Sequence, residues 1–249
     1  MTVTNRVALI TGAGSGIGRE TALLLAEQGA KIAALDLALD NAEETIRMIK
    51  EKGGEGISLK GDVSKRDDVF AAAAKTEELF GRIDILVHCA GILFDCFIKK
   101  LTEEKWDRVM NINLKGTLFC IQAVQEAMTR QGYGRIVNLT SGAYLGNLGQ
   151  AAYAASKAGV VSLTKTAAME LARYKITVNC VAPGLVETPM TAGMSPEAYE
   201  KLGKSIPLGR VGLPKDISHI ILSLVADEAD YTTGQVIHID GGVTTGLRI

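Results

Sequence analysis

Apolar positions come in short unbroken runs along this chain, separated by longer stretches in which they recur every three or four residues. The runs are RVALIT (6–11), KIAALD (31–36), GISLKG (56–61), IDILVH (83–88), RIVNLT (135–140), ITVNCVA (176–182) and QVIHID (235–240). Their length and β-branched content mark them as strands, and their lack of polar alternation predicts a sheet covered on both faces. The segments near 17–29, 40–52, 66–80, 102–130, 151–173 and 214–226 carry helical periodicity. Regular alternation of the two predicts an α/β chain with a doubly wound parallel sheet of about seven strands. No compositional break or repeat divides the 249 residues, so one domain over 1–249 is expected. The segment 184–213, rich in Gly, Pro and Met, breaks the rhythm. A stretch of this length between a strand and a helix is expected to serve as a substrate lid rather than a plain connector.

Composition narrows the function classes. With 47% hydrophobic and 22% charged residues the chain can bury a large core and is not disordered. A net charge of −1, no dense Lys/Arg block and few aromatic platforms argue against nucleic acid as a partner. The longest apolar runs, such as IILSLVA (220–226), are far too short to span a bilayer, and MTVTNRVALITG lacks the layout of a secretory signal. A cytoplasmic protein with no membrane partner is expected. Cys89, Cys96, Cys120 and Cys180 form no C-x-x-C pair and read as free thiols, most of them buried. His88, His219 and His238 stand apart from any acid or thiol set at metal spacing, so no metal site is expected.

Two local patterns carry chemistry. VALITGAGSGIGRETALLLAEQG (7–29) reads strand, glycine turn, helix, and Gly12, Gly16 and Gly18 would let the backbone approach a pyrophosphate bound at the helix N-terminus. The second strand ends in Asp36, where a carboxylate accepts hydrogen bonds from adenosine ribose hydroxyls and disfavours a 2′-phosphate. Leu37 follows it and Ser15 in the turn is uncharged, so neither place offers a basic group; NAD is expected over NADP. In AAYAASKAG (151–159), Tyr153 and Lys157 stand four apart and share a helix face. Lowering a phenol by ~3 pKa units takes about 4 kcal/mol. An ammonium ~4 Å away at an effective dielectric of ~20 supplies about that much, making an acid/base pair near neutral pH. Asn113 lies on the stripe Trp106, Val109/Met110, Asn113, Thr117 of an otherwise apolar helix. A buried amide there needs specific partners, either functional or at a structural helix bulge.

The glycine spacing T-G-x-x-x-G-x-G goes with YAASK downstream, and between and beyond them stand GDVS (61–64), GRIDILVHCAG (81–91), NINLKGT (111–117), GRIVNLTS (134–141), NCVAPGLVETPM (179–190) and YTTGQVIHIDGG (231–242). In these motifs the chain resembles the short-chain dehydrogenase/reductase family over essentially its whole length. The resemblance implies a Rossmann-like fold and NAD(P)-dependent hydride transfer between a secondary alcohol and a ketone. It makes Tyr153 the general acid/base and Lys157 the residue that holds the nicotinamide ribose and lowers the tyrosine pKa. Ser141 would hydrogen-bond the reacting oxygen, and Asn113 would hold a water leading from Lys157 to solvent. For the cofactor it implies Gly12, Ser15, Gly16, Ile17 and Gly18 at the phosphates, and Asp36 and Leu37 at the adenosine ribose. Asp62 and Val63 would flank the adenine, with Cys89, Ala90 and Gly91 beside the cofactor. Pro183, Gly184, Val186 and Thr188 would line the nicotinamide.

The chain departs from the family pattern twice. Ser141 and Tyr153 are one residue closer in sequence than is usual; alignment on RIVNLTS selects Ser141, and Thr140 points the other way by strand alternation. The family's N-N-A-G turn is HCAG here, with His88 read as a core histidine at a strand end rather than a catalytic imidazole. Leu93, Phe94, Leu145, Leu148, Met190 and Met194 are the expected pocket walls, suited to an acyl chain, ring or steroid-like small molecule. The chain is similar to 3-oxoacyl-thioester reductases. Where carrier-protein enzymes have basic residues it has Gly132 and Tyr174, with Arg130, Arg173 and Lys175 beside them, which together with the NAD preference favours oxidation of a 3-hydroxyacyl-CoA-like thioester or a cyclic alcohol over carrier-protein reduction. The alternatives are a dehydrogenase of cyclic or other apolar secondary alcohols, and a cofactor-bound non-catalytic subunit; the complete Asn113–Ser141–Tyr153–Lys157 set argues for an enzyme. A homo-oligomer, specifically a tetramer, is expected through helices 102–130 and 151–173, with TTGLRI (244–249) as a further candidate for an interface.

Overall fold

In the computed structural model, which describes residues 1–245, seven parallel strands form one sheet in the order β3-β2-β1-β4-β5-β6-β7. They are β1 (Val7–Thr11), β2 (Lys31–Asp36), β3 (Gly56–Lys60), β4 (Ile85–His88), β5 (Gly134–Leu139), β6 (Ile176–Pro183) and β7 (Val236–Ile239). The helices are α1 (Gly16–Glu27), α2 (Leu39–Glu51), α3 (Arg66–Phe80), α4 (Glu103–Met110), α5 (Gly116–Gln131), α6 (Ala151–Leu171), α7 (Pro196–Ser205) and α8 (Pro214–Val225). Of TTGLRI, only Thr244 and Thr245 fall within the described residues; 246–249 lie outside them.

Both sheet faces are covered because the central strands carry apolar side chains in both directions. Ala8, Ile10, Ile32, Ala34, Val87 and Val137 pack with Ala22 and Leu25 of α1, Ile46 of α2 and Ile217 and Ile221 of α8. Leu9, Ala33, Leu86, Ile136 and Val178 face Val69 of α3, Val124 and Met128 of α5 and Leu171 of α6. The period of two along each strand thus assigns alternate residues to two separate cores. From β1 the sheet is wound one way to β2 and β3, and the other way through β4 to β7. The reversal leaves a crevice at the carboxyl ends of β1 and β4, where doubly wound sheets hold ligands.

Two expected elements differ in the structure. The single helix expected over 102–130 is α4 and α5 joined by a π-helical turn, Asn111–Lys115. The wider turn brings Asn113 inward, where it is 1% exposed. Segment 184–213, expected without regular structure of its own, contains α7. Ser195 caps that helix by accepting the Ala198 amide at 3.2 Å, and Pro196 occupies its first turn. The two ends of the segment are tied together by the Val186–Gly212 bridge.

Candidate active site

The crevice is a cleft of about 720 Å³ running along the carboxyl ends of the strands. Its floor is set by close backbone packing. Gly12 has φ +65°, and a Cβ there would stand 2.8 Å from the Ala90 nitrogen. A Cβ on Gly18 would stand 2.1 Å from the Gly12 carbonyl oxygen. Only glycine permits the end of β1, the start of α1 and the end of β4 to meet this way. Ser15 precedes α1 without a side-chain cap, and the first turn of α1 has no acidic residue, so its amides are left for an anion. Thr188 crosses over this turn, its side chain 3.3 Å from where a Gly16 Cβ would be.

At the outer end, Asp36 accepts the Gly14 amide through Oδ2 at 2.8 Å and the Ala38 amide through Oδ1 at 2.9 Å. Those bonds fix the carboxylate at the cleft wall and leave lone pairs for hydroxyl donors. Arg19, which sequence reading passed over, lies at the same corner. Its guanidinium is engaged by the carbonyls of Gly14 and Asn41 and by Thr45 Oγ1. Asp62 accepts the Ser64 amide and hydroxyl at 2.9 and 2.7 Å, which shapes the turn into α3 and sets Val63 against Gly116. Leu37, Cys89, Ala90, Gly91, Pro183, Gly184 and Val186 also line the cleft, with Ile17 at the glycine turn.

At the inner end Ser141, Tyr153 and Lys157 converge on the same cleft. Thr140 faces away and donates to the Lys157 carbonyl at 2.9 Å, as strand alternation requires. Ser141 shares a hydrogen bond with Tyr153. Lys157 is 3% exposed, and its ammonium donates to the Leu139 carbonyl at 2.7 Å and lies 5.6 Å from the centre of the Tyr153 ring. Gly91 makes room for it: a Cβ there would be 3.5 Å from Nζ and 3.2 Å from Asn113 Oδ1.

The expected lowering of the tyrosine is not what this geometry produces. Burial pushes the Tyr153 hydroxyl above its usual value; the Ser141 hydrogen bond opposes that rise and the Asp95 carboxylate adds to it. Burial also pulls Lys157 down to about 8. The ammonium bonds a carbonyl instead of the phenol, so desolvation outweighs pair attraction for both groups. Tyr153 therefore carries its proton at neutral pH.

Asn113 sits behind the cleft wall. It accepts the Ile92 amide at 2.8 Å and donates to the Ile92 carbonyl at 2.9 Å and to Ser156 Oγ at 3.1 Å. The π turn and these bonds stitch the loop after β4 to α6, and both amide protons are used. His88 is buried among these elements, with Nδ1 2.7 Å from Thr11 Oγ1 and Nε2 without a partner. Burial, aided by the nearby Lys157 charge, holds it down to about 3, which makes it a neutral core residue. On the substrate side Leu93, Leu145 and Met190 line the cleft, whereas Phe94, Leu148 and Met194 lie off its wall. Phe94 instead sits under the Lys105 ammonium at 4.6 Å, and Leu148 is 84% exposed. Asn147, Gln150, Asp240 and Thr244 are lining residues that no sequence pattern singled out. Among the described residues no group of three or more His, Cys, Asp or Glu could hold a metal, and no helix is long and apolar enough to cross a membrane.

A family model described as enoyl-(acyl carrier protein) reductase matches residues 12–244. The chain belongs to the short-chain dehydrogenase/reductase family. It is 45% identical over 245 residues to a 3-oxoacyl-(acyl-carrier-protein) reductase of Thermotoga maritima, covering 98% of this chain and 99% of that one. It is 43% identical over 242 residues to the (2S)-[(R)-hydroxy(phenyl)methyl]succinyl-CoA dehydrogenase subunit BbsD of Thauera aromatica, covering 97% and 98%. A crystal structure of levodione reductase superposes with a TM-score of 0.94 at 34% identity, covering 98% of this chain and 99% of that one. Like its relatives, this short-chain dehydrogenase/reductase is an oxidoreductase acting on CH–OH groups and their ketones, with a nicotinamide cofactor.

The buried neutral His88 makes stability sensitive to acid. Its folded pKa is below the unfolded value of 6.5, so its contribution is complete above pH 6.5 and is lost as pH falls toward 3. Between pH 7 and pH 5 the wild type should lose about 2 kcal/mol more than His88→Asn. Urea melts of the two proteins at both pH values measure this, and equal losses would place His88 in an ordinary environment.

Proposed function

We propose that this enzyme interconverts a 3-oxoacyl thioester and its 3-hydroxyacyl counterpart with NAD(H), with a CoA-like carrier. The observation that carries the reading is the meeting of Ser141, Tyr153 and Lys157 at the inner end of a cleft whose other end has the geometry of a dinucleotide site. The uncapped α1 N-terminus with Gly12, Ser15, Gly16, Ile17 and Gly18 would hold the pyrophosphate, and Asp36 and Leu37 the adenosine ribose. Asp62 and Val63 would flank the adenine. Cys89, Ala90, Gly91, Pro183, Gly184, Val186 and Thr188 would enclose the nicotinamide, with Lys157 at its ribose. When bound, the nicotinamide supplies or accepts the hydride.

Tyr153, kept protonated by burial, is set to donate its phenolic proton to the ketone oxygen. Ser141 holds that oxygen by a hydrogen bond. Asn113 positions the loop at Ile92 and the α6 segment bearing Lys157 through its three bonds. The segment with α7 acts as the lid, and exposed Met190 gives it an apolar contact with the cleft. The absence of a basic group at Leu37 and Ser15, and the engagement of Arg19 by backbone carbonyls, support NAD over NADP. A free CoA-like carrier is supported by the state of the basic residues near GRI: Arg130 is tied to Glu77 and Glu126, and Arg173 stacks on Tyr174. Exposed Leu118 on α5 and Met169 on α6 support assembly through these helices, as a tetramer. A second reading, a cyclic or aryl-substituted alcohol as substrate, is favoured by the names of the Thauera aromatica relative and of levodione reductase.

NADH consumption with acetoacetyl-CoA tests the reading. Wild type should turn over, and Tyr153→Phe should lose at least ~100-fold in kcat while its NADH affinity stays within about twofold. Turnover by neither protein would reject the thioester and move the test to cyclic and aryl alcohols with NAD. Ser141→Ala should cost far more activity than Thr140→Ala, since the Thr140 hydroxyl is spent on the Lys157 carbonyl; steady-state rates showing the reverse order would reassign the oxygen-binding residue. Asp36→Ala should shift the NADH/NADPH ratio of kcat/KM toward NADPH by about tenfold or more. An unchanged ratio would mean that the acid does not select the cofactor.

A further inference from the structure

Tyr144, His238, Thr244 and Asp240 form a hydrogen-bonded line outside the proposed reacting set. Tyr144 Oη lies 3.1 Å from His238 Nε2, and Thr244 Oγ1 lies 3.1 Å from His238 Nδ1. Thr244 Oγ1 donates to Asp240 Oδ2 at 2.6 Å. Proton accounting then runs one way. The threonine proton is used on the carboxylate, so Thr244 accepts from His238 Nδ1–H, and Nε2 accepts from the Tyr144 hydroxyl. Every member has a partner.

The line joins two loops of the cleft. Tyr144 lies in the 3-10 turn that begins after Ser141, where the Tyr144 amide donates to the Ser141 carbonyl at 3.0 Å and the Ala143 amide to Ser141 Oγ at 3.2 Å. That turn leads into Gly146 and Gly149, both at positive φ and with open space around them, so the segment has little packing of its own. At the other end, Asp240 accepts the amides of Gly242 and Thr244, both at 2.9 Å, and so builds the turn after β7. The Gly241 carbonyl of that turn accepts the Leu208 amide at 3.1 Å, just beyond α7.

We propose that His238 is a positioning residue: by holding Tyr144 it fixes the turn that presents Ser141 and couples that turn to the end of the lid segment at Leu208. This rests on Ser141 being the residue that meets the substrate oxygen. The tyrosine tether supplies the order that the shortened, glycine-rich stretch between Ser141 and Tyr153 lacks.

The test uses Tyr144→Phe, His238→Ala, the double variant and His238→Gln in the full chain. Amide hydrogen exchange is read at Gly146 and Leu208, and steady-state kinetics are read with ketone and NADH. Tyr144→Phe and His238→Ala should each lower kcat/KM for the ketone about fivefold, the worth of one neutral hydrogen bond, with NADH affinity within about twofold of wild type. The double variant should be no worse than the poorer single, because both remove one shared bond. His238→Gln, whose Oε1 can accept from Tyr144, should recover most of the loss. Tyr144→Phe should also speed exchange at both amides by about fivefold. Additive losses, or an unchanged Leu208 amide in Tyr144→Phe, would overturn the proposal. Exchange needs no turnover: if the wild type reduced no ketone tried, the reading of the reaction would fail while the Leu208 amide still decided the tether. Should His238→Ala not fold, Tyr144→Phe carries both readouts alone.

Discussion

The cleft exists because three stretches of backbone approach more closely than any side chain would allow. Gly12 meets both Gly18 and Ala90, and a single Cβ at either glycine would occupy space already taken by main-chain atoms. This contact holds the end of β1, the first turn of α1 and the end of β4 together at the point where the winding of the sheet reverses. The placement of functional groups follows from it. Asp36, Cys89, Ser141, Gly184 and Asp240 stand at or just past the carboxyl ends of five strands, so parallel register alone brings them to one edge. The α1 amides face that edge, and Ser15 at the helix N-cap makes no side-chain bond to them.

Burial sets the electrostatics of the inner end. Lys157 and Tyr153 stand on one helix face, yet the dominant influence on each is loss of water rather than their mutual attraction. Burial thus holds Lys157 near 8 and keeps the proton on Tyr153. The surrounding polar residues satisfy one another: Asn113 binds Ile92 and Ser156, and Thr140 binds the carbonyl of Lys157 itself. A wall built this way is rigid, because moving any member would leave a buried partner unpaired. Among the described residues His88 Nε2, Asn138 Oδ1 and Thr177 Oγ1 depart from this, each buried without a partner, and His88 makes the wall sensitive to acid.

Much of the fold was legible because strand and helix periodicities are local properties. All seven strands were placed within two residues, and alternation along RIVNLTS separated Ser141 from Thr140. The carboxylate at Asp36 and the glycine turn were legible for the same reason: both are set by sequence neighbours. What escaped the sequence was what depends on packing across the molecule. The π turn at Asn113 leaves the helical period almost undisturbed, so the segment reads as one helix. α7 carried a cap signal in Ser195–Pro196–Glu197, but the surrounding glycines and prolines masked it. The direction of the Tyr153 shift could not be read from spacing, since spacing gives the neighbour of a group and not how far both are removed from water. Phe94, Leu148 and Met194 lie off the pocket because side-chain direction in loops is not a local property: Phe94 packs under Lys105 and Leu148 points into solvent.

The two halves of the cleft differ in what fixes them. The cofactor half is set by main-chain contacts, by the ends of β1, β2 and β4, and by the first turn of α1, so few side chains there are free to vary. The other half is assembled from loops after β5, β6 and β7, and its wall carries exposed Leu145, Met190 and Val243. Those loops depend on bonds between one another, such as Leu208 to Gly241 and Tyr144 to His238, rather than on the sheet. One end of the cleft therefore rests on the sheet and the glycine turn, whereas the other rests on three loops bonded to one another. Relatives whose names specify an acyl-carrier-protein thioester, an aryl-substituted CoA thioester and a levodione show that one fold serves substrates of different shape, as function grafted on a common scaffold allows.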